Sequence, residues 1–336
     1  MTHYYKDTSE GRIWYSGFIT RDGKEIFNPS IEYIDSDGWI PFEPGPPSLY
    51  MGHDPLSDDI NLKKLFDKFP KSRDIVKLIK SGIVYHYSTW DVLFNGILSS
   101  DNINAGRAVL RAYSVNYMND ALEGLIIPRE LFKSENRRFN GKLSERRKEL
   151  EEISANKDKQ RLFSVSFSKI PDSIPMWNYY GHDGNGLSIG FDASHIVNQG
   201  YDLIECIYDK TSSKELANYI LNSCYGISKP QPISISLSII SKDSHFEYEK
   251  ECRIPLSQHY GQCCITKRNQ FHPIKYGIKK GVISPFVEVF VPLKSIKEIW
   301  IGPTNDINLA EDSLNGWLHS IGMPWVKIIK SSAPLK

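Results

Sequence analysis

The apolar positions change period along the chain, and each change marks an element. Ile83-Val84-Tyr85-His86-Tyr87 reads as a short strand, after which Trp90, Leu93, Phe94, Ile97 and Leu98 fall at i, i+3, i+4, i+7 and i+8. That spacing lays one apolar stripe along a helix, with Ser88 or Thr89 placed to cap its first turn. Phe163-Ser164-Val165-Ser166-Phe167 and Leu187-Ser188-Ile189-Gly190-Phe191 alternate apolar with small or polar residues, the pattern of half-buried strands. Residues 203–208, 287–291, 298–301 and 325–329 add strand candidates, and Leu314, Trp317, Leu318 and Ile321 predict a helix beginning after Asn305-Asp306. These elements follow no regular β-α-β rhythm, and neither G-x-G-x-x-G nor G-x-x-x-x-G-K occurs. The expectation is therefore α+β rather than a doubly wound nucleotide fold.

The first 75 residues read differently. Turn signals at Arg21-Asp22-Gly23, Asp35-Ser36-Asp37-Gly38 and Pro44-Gly45-Pro46-Pro47 separate short apolar-aromatic runs, which predicts a small strand-rich extension over 1–75 and a main domain over 76–336. The extension holds 13 Asp+Glu against 9 Lys+Arg; the polar stretch 129–161, read as a solvated helix or mobile insert, holds 11 Lys+Arg against 7 Asp+Glu. The 336-residue chain nets +1, which excludes a uniformly basic nucleic-acid binder but not a local basic groove. No window of 18 apolar residues occurs and the opening Met-Thr-His-Tyr-Tyr-Lys-Asp lacks a signal-peptide pattern, so a cytoplasmic protein with no membrane partner is expected. Cys206, Cys224, Cys252, Cys263 and Cys264 show no C-x-x-C spacing, so reduced structural cysteines and no metal are expected.

Four constellations can carry chemistry. His86 stands where a strand gives way to a helix, placed either to offer a ring N–H to a ribose or phosphate oxygen or to serve as an internally bonded core residue. Asn119-Asp120 with Glu123 pairs a carboxamide with two carboxylates, which is equally a helix-capping arrangement. Met176-Trp177-Asn178-Tyr179-Tyr180-Gly181 offers aromatics for a flat ring or for the core. In Phe246-Glu247-Tyr248-Glu249-Lys250-Glu251-Cys252-Arg253, an extended chain would put Glu247, Glu249, Glu251 and Arg253 on one face, where a hydroxyl-rich or cationic partner would relieve their repulsion. A helical chain would leave Glu247 and Glu251 as a surface pair.

In their order along residues 80–305, these pieces resemble a bacterial family known only as a domain of unknown function. The marks are Tyr85-His86-Tyr87-Ser88-Thr89, Asn119-Asp120 with Glu123, Met176-Trp177 with Tyr180, Lys242, Glu249-x-Glu251-x-Arg253 and Ile299-Trp300-Ile301-Gly302-Pro303; Phe246 stands where the family usually has Trp. That family resembles the ADP-ribosyltransferases, its opening being similar to that of DarT-like enzymes that modify nucleic acid. The resemblance implies a split, mostly antiparallel two-sheet core with NAD bound between the sheets. It implies His86, with Tyr87, Thr89 and Asn119, on NAD, and Tyr180 or its neighbour Tyr179, with Trp177, at the nicotinamide. Glu251, or else Glu249, would be catalytic, the other orienting the acceptor.

Breaking the nicotinamide–ribose bond develops oxocarbenium charge, which a fixed carboxylate stabilises in the transition state. Between Cys252 and Val287 there is no Asp or Glu, while Arg253, Lys267, Arg268, Lys275, Lys279 and Lys280 alternate with Tyr260, Phe271 and Tyr276. Cations among aromatics suit RNA or single-stranded DNA as acceptor, with Arg253, Lys267 and Arg268 the expected contacts. The expected role is a toxin or antiviral effector with a neutralising antitoxin protein; NAD hydrolysis, protein modification and an inert nucleotide-binding module are the alternatives.

Overall fold

In the computed structural model, the described residues are 2–8, 11–19, 25–27, 40–42, 62–118, 162–223, 237–257, 263–265, 271–279, 281–304 and 306–334. The chain divides into two units, Met1–Asp54 and Pro55–Lys336. The first holds β1 (Thr2–Thr8), β2 (Gly11–Ile19), β3 (Glu25–Phe27) and β4 (Ile40–Phe42), antiparallel in the order β3-β2-β1-β4. The division falls earlier than residue 75. Helices α1 (Leu62–Lys68) and α2 (Ser72–Ile75) belong to the second unit, because Leu62, Leu65 and Phe66 bury their side chains with Ile204, Ile207 and Leu216 there.

The second unit is α+β, built on a large, mostly antiparallel sheet with flanking helices. Its strands are β5 (Ile83–Ser88), β6 (Arg107–Ser114), β7 (Leu162–Ser168), β8 (Leu187–Asp192), β9 (Ile204–Glu205), β10 (Glu251–Ser257), β11 (Cys263–Ile265), β12 (Phe271–Lys279), β13 (Val282–Pro292), β14 (Ile296–Ile301) and β15 (Lys327–Lys330). Only the β14–β15 pair is parallel among these ladders. Of the run 203–208 only two residues are strand. Strands β7 and β8 are buried on nearly every residue rather than on alternate ones, because both faces of the central sheet are covered.

The main order is β11-β12-β13-β6-β7-β5-β8-β14-β15, and β10 with β9 branches from β7. One flank of β7 pairs with β10 along its whole length, from Leu162 to Ser168. Its other flank is shared: β6 takes Phe163 and Ser164, and β5 takes Ser168. The expected two sheets are thus one network that forks at β7, leaving Ser166 between diverging strands.

Helix α3 (Trp90–Val92) starts where the periodicity places it, with the Thr89 hydroxyl accepting from the Val92 N–H at 3.3 Å. It then widens into a π-helical turn, Leu93–Ile97, that buries Leu93 and Ile97. Helices α4 (Ser100–Asn104), α5 (Ile174–Tyr180), α6 (Ala193–Asn198), α7 (Lys210–Ser223) and α8 (Ile307–Ser320) follow, α8 capped by Asp306 and burying Leu314 and Leu318. Between α5 and β8 the loop 181–186 packs its backbone against the end of β14. The Gly302 N–H donates to the Gly186 carbonyl at 3.0 Å, and a Cβ on Gly302 would collide with the Gly184 carbonyl.

Candidate active site

A cleft of about 610 Å³ lies over the fork. Residues directly opposite in an antiparallel ladder share a face. Tyr113 is opposite Ser164, Arg253 opposite Ser166 and Glu251 opposite Ser168, so these side chains line one polar floor. Their neighbours Ala112, Phe163, Val165, Cys252 and Ile254 point the other way into the main core.

Residues 244–253 form neither the continuous strand nor the helix considered from sequence. Ser244–Glu249 is a 3-10 helix, Lys250 turns through φ 42°, and β10 begins at Glu251. The left-handed residue folds Glu249 back beside Glu251, while Glu247 points outward and pairs with Lys250 at 2.9 Å. The turn is tied to β7 by the Ser168 hydroxyl, which donates to the Glu249 carbonyl at 2.7 Å.

Both carboxylates are buried and meet on one ammonium. Lys242 Nζ donates to Glu249 Oε2 and, at 2.7 Å, to Glu251 Oε2. Arg253 clasps Glu251 with a fork, Nε to Oε1 at 2.7 Å and Nη2 to Oε2 at 2.8 Å, and its Nη1 donates to the Ile239 carbonyl. Tyr180 donates its hydroxyl to Glu249 Oε1 at 3.0 Å. Burial opposes ionisation of both acids. At Glu251 the Arg253 and Lys242 charges and hydrogen bonds overcome it and hold the carboxyl down at about 2; at Glu249 burial prevails over Lys242, and the neighbouring Glu251 charge adds to it, so its pKa is raised.

His86 bridges the fork. Its Nδ1–H donates to the Ser166 carbonyl at 3.0 Å, and burial lowers its pKa, so the ring is neutral at pH 7 with Nε2 a lone-pair acceptor. The N–H considered for a ribose or phosphate oxygen is thus engaged by a backbone carbonyl, as in the internally bonded alternative, and Nε2 carries a lone pair that can accept.

Other expected site residues divide by contact. Tyr180 and Tyr179 both line the cleft, Tyr180 bonded to Glu249 and Tyr179 exposed at its rim. Trp177 is fully buried, donating Nε1–H to Asp172 at 2.7 Å and packing edge-on to Tyr87 at 4.9 Å, so it supports the wall rather than touching a ligand. Tyr87 borders the cleft but donates its hydroxyl to the Ile170 carbonyl at 3.0 Å, and the Thr89 side chain is the helix cap. Arg253, 1% exposed, is committed to Glu251 and Ile239 rather than to an acceptor. Asn119, Asp120, Glu123, Lys267, Arg268 and the stretch 129–161 lie outside the described residues. Arg111 and Tyr113 line the cleft without having been expected there; Ala108, Leu110 and Ala112, spaced by two, are the signal that marks β6 and turns them to the opposite face.

Among the described residues, no group of three or more His, Cys, Asp or Glu is arranged to hold a metal ion, and no helix is long and apolar enough to cross a membrane. Residues 176–254 match a family described as a protein of unknown function (DUF2971). The match takes in Tyr180, Lys242, Glu249, Glu251 and Arg253 and leaves His86 outside. No curated protein matches the chain.

Proposed function

We propose that the chain is a NAD-dependent ADP-ribosyltransferase with a nucleic acid, RNA or single-stranded DNA, as acceptor. One observation carries the reading: two adjoining buried carboxylates whose environments push their pKa values apart, at one end of a cleft floored by hydroxyls and a neutral histidine. A carboxylate has about four lone-pair sites, and Arg253 and Lys242 take three on Glu251, leaving one for a ribose hydroxyl. Fixed and ionised, Glu251 stabilises positive charge as it grows on the anomeric carbon. Glu249, the more proton-avid acid, is suited to take the acceptor's proton. His86 Nε2 accepts from the other ribose of the dinucleotide, and the Tyr180 and Tyr179 rings pack the nicotinamide.

In the reaction the bond between nicotinamide nitrogen and ribose carbon breaks, its electron pair leaving with nicotinamide. The acceptor's oxygen or nitrogen forms the new bond and gives its proton to Glu249.

The test is to incubate the full chain with labelled NAD and separate pools of RNA, single-stranded DNA and protein, beside Glu251→Ala and the better-tolerated Glu251→Gln. Label on a nucleic-acid pool, reduced about 100- to 1,000-fold by either substitution, is the expected outcome. Free ADP-ribose as the sole product would replace transfer by hydrolysis, label on protein alone would change the acceptor, and no Glu251-dependent NAD turnover would end the reading.

A further inference from the structure

The end of the cleft away from the carboxylates has no part in the bond-breaking step, and its chemistry points to a ligand group of its own. Ser164 and Ser168 are four residues apart on β7, about 13 Å at the usual strand rise, so Tyr113 and Glu251, their cross-strand partners, mark opposite ends of the floor. Arg111 and Lys279 line the Tyr113 end. Each cation is held over an aromatic face, Lys279 Nζ at 4.5 Å from the Tyr113 ring centre and the Arg111 guanidinium at 4.9 Å from that of Phe286. Glu288, directly opposite Arg111 on β13, pairs instead with Lys275 at 2.9 Å, and among the described residues no carboxylate pairs with Arg111. At the other end, Lys242 and Arg253 balance Glu249 and Glu251. Asp91 is the one further acid in the described lining, and Arg111 and Lys279 are the cations at the Tyr113 end. The Lys279 charge reaches His86, where after burial it helps to keep the ring neutral.

We infer that Arg111 and Lys279, with Tyr113 beside them, bind a phosphate group, either the diphosphate of the donor or a phosphodiester of the acceptor strand. A guanidinium presents two parallel N–H groups to phosphate oxygens, and an ammonium adds a point charge. The proposal rests on the reading of the cleft as a nucleotide site and names the residues that would select for phosphate within it.

The experiment measures binding of ADP-ribose, adenosine and a single-stranded DNA hexamer to the full chain and to Arg111→Gln, Lys279→Gln and the double variant, with thermal unfolding as the folding control. The wild-type chain is expected to bind at least one phosphate-bearing probe ten or more times more tightly than adenosine. Each substitution is expected to weaken that probe about tenfold, the size of one lost charge-assisted bond, and to leave adenosine within about twofold. A loss confined to ADP-ribose assigns the donor diphosphate; one confined to the hexamer assigns the acceptor. Unchanged affinities in the double variant, an equal loss for adenosine, or no preference for phosphate in the wild type would each overturn the proposal. If NAD turnover is absent while the Arg111-dependent preference persists, the transferase reading falls and the phosphate site stands.

Discussion

Glu249 and Glu251 are separated by one residue, yet their surroundings act on them in opposite senses, and stability should show it. Glu251 is held at about 2, so its contribution is complete above the ordinary carboxylate value of 4.5 and is lost as pH falls toward 2, on the order of 3 kcal/mol in all. Glu249 has a raised pKa, so its contribution is present at low pH and is lost as pH rises through that value. Glu251→Gln should therefore lower Tm by about 5–10 °C at pH 7 and by much less at pH 3. Glu249→Gln, which removes an acid whose burial outweighs its cationic partner, should fall well short of that loss at pH 7. Thermal unfolding of both variants at the two pH values checks this; equal losses at pH 7 would mean that the acids share one environment. Lys242 is the hinge of the pair. Lys242→Met leaves two buried carboxylates facing each other and should cost about 3–5 kcal/mol, read as a lower denaturant midpoint at pH 7.

At the scale of elements, the site depends on a change of backbone geometry at a single residue. Lys250 at φ 42° ends a 3-10 turn and starts β10, and its N–H donates to the Glu247 carbonyl at 3.1 Å. A β-branched residue resists that conformation, so Lys250→Val should cost about 1–2 kcal/mol and should lower NAD turnover about as far as Glu249→Gln does, whereas Lys250→Asn should stay near wild type. Turnover kept in the Val variant would show that the turn does not set the carboxylate pair. This turn also limits what could be read beforehand. Period-two alternation located β7 and β8, short apolar runs located β5 and β14, and the 3.6-residue stripe located α8, because a set of apolar side chains specifies each. Residues 246–253 carry no such stripe: Glu247, Glu249 and Glu251 fit a strand as well as a helix, and the left-handed Lys250 belongs to neither period. The tautomer of His86 was likewise hidden, since it follows from a carbonyl exposed by a fork 80 residues further along the chain. Gly302 was visible as part of a motif, but its reason is the loop packed on it.

At the scale of the whole molecule, the observed division redraws the charge map. Residues 1–54 carry 9 Asp+Glu and 4 Lys+Arg, a net of −5, which leaves 31 Asp+Glu and 37 Lys+Arg, a net of +6, on residues 55–336. The overall +1 is thus the sum of an acidic unit and a basic one, and the basic one holds the whole described lining of the cleft. An acidic unit repels a phosphate backbone that comes within a Debye length of it, about 10 Å at 0.1 M salt, so on the proposed reading residues 1–54 should slow the capture of nucleic acid. Residues 55–336 alone should then bind a single-stranded oligonucleotide about tenfold more tightly than the full chain at 50 mM salt, with the two converging to within about twofold at 500 mM. The main core and the smaller cluster around Leu62 both lie within 55–336, so removing residues 1–54 should leave the Tm of that unit unchanged. Fluorescence anisotropy across a salt series decides the matter. Coincident curves at every salt concentration would show that the acidic unit has no part in acceptor capture, and a gap that persists undiminished at 500 mM would make its effect a contact rather than a field.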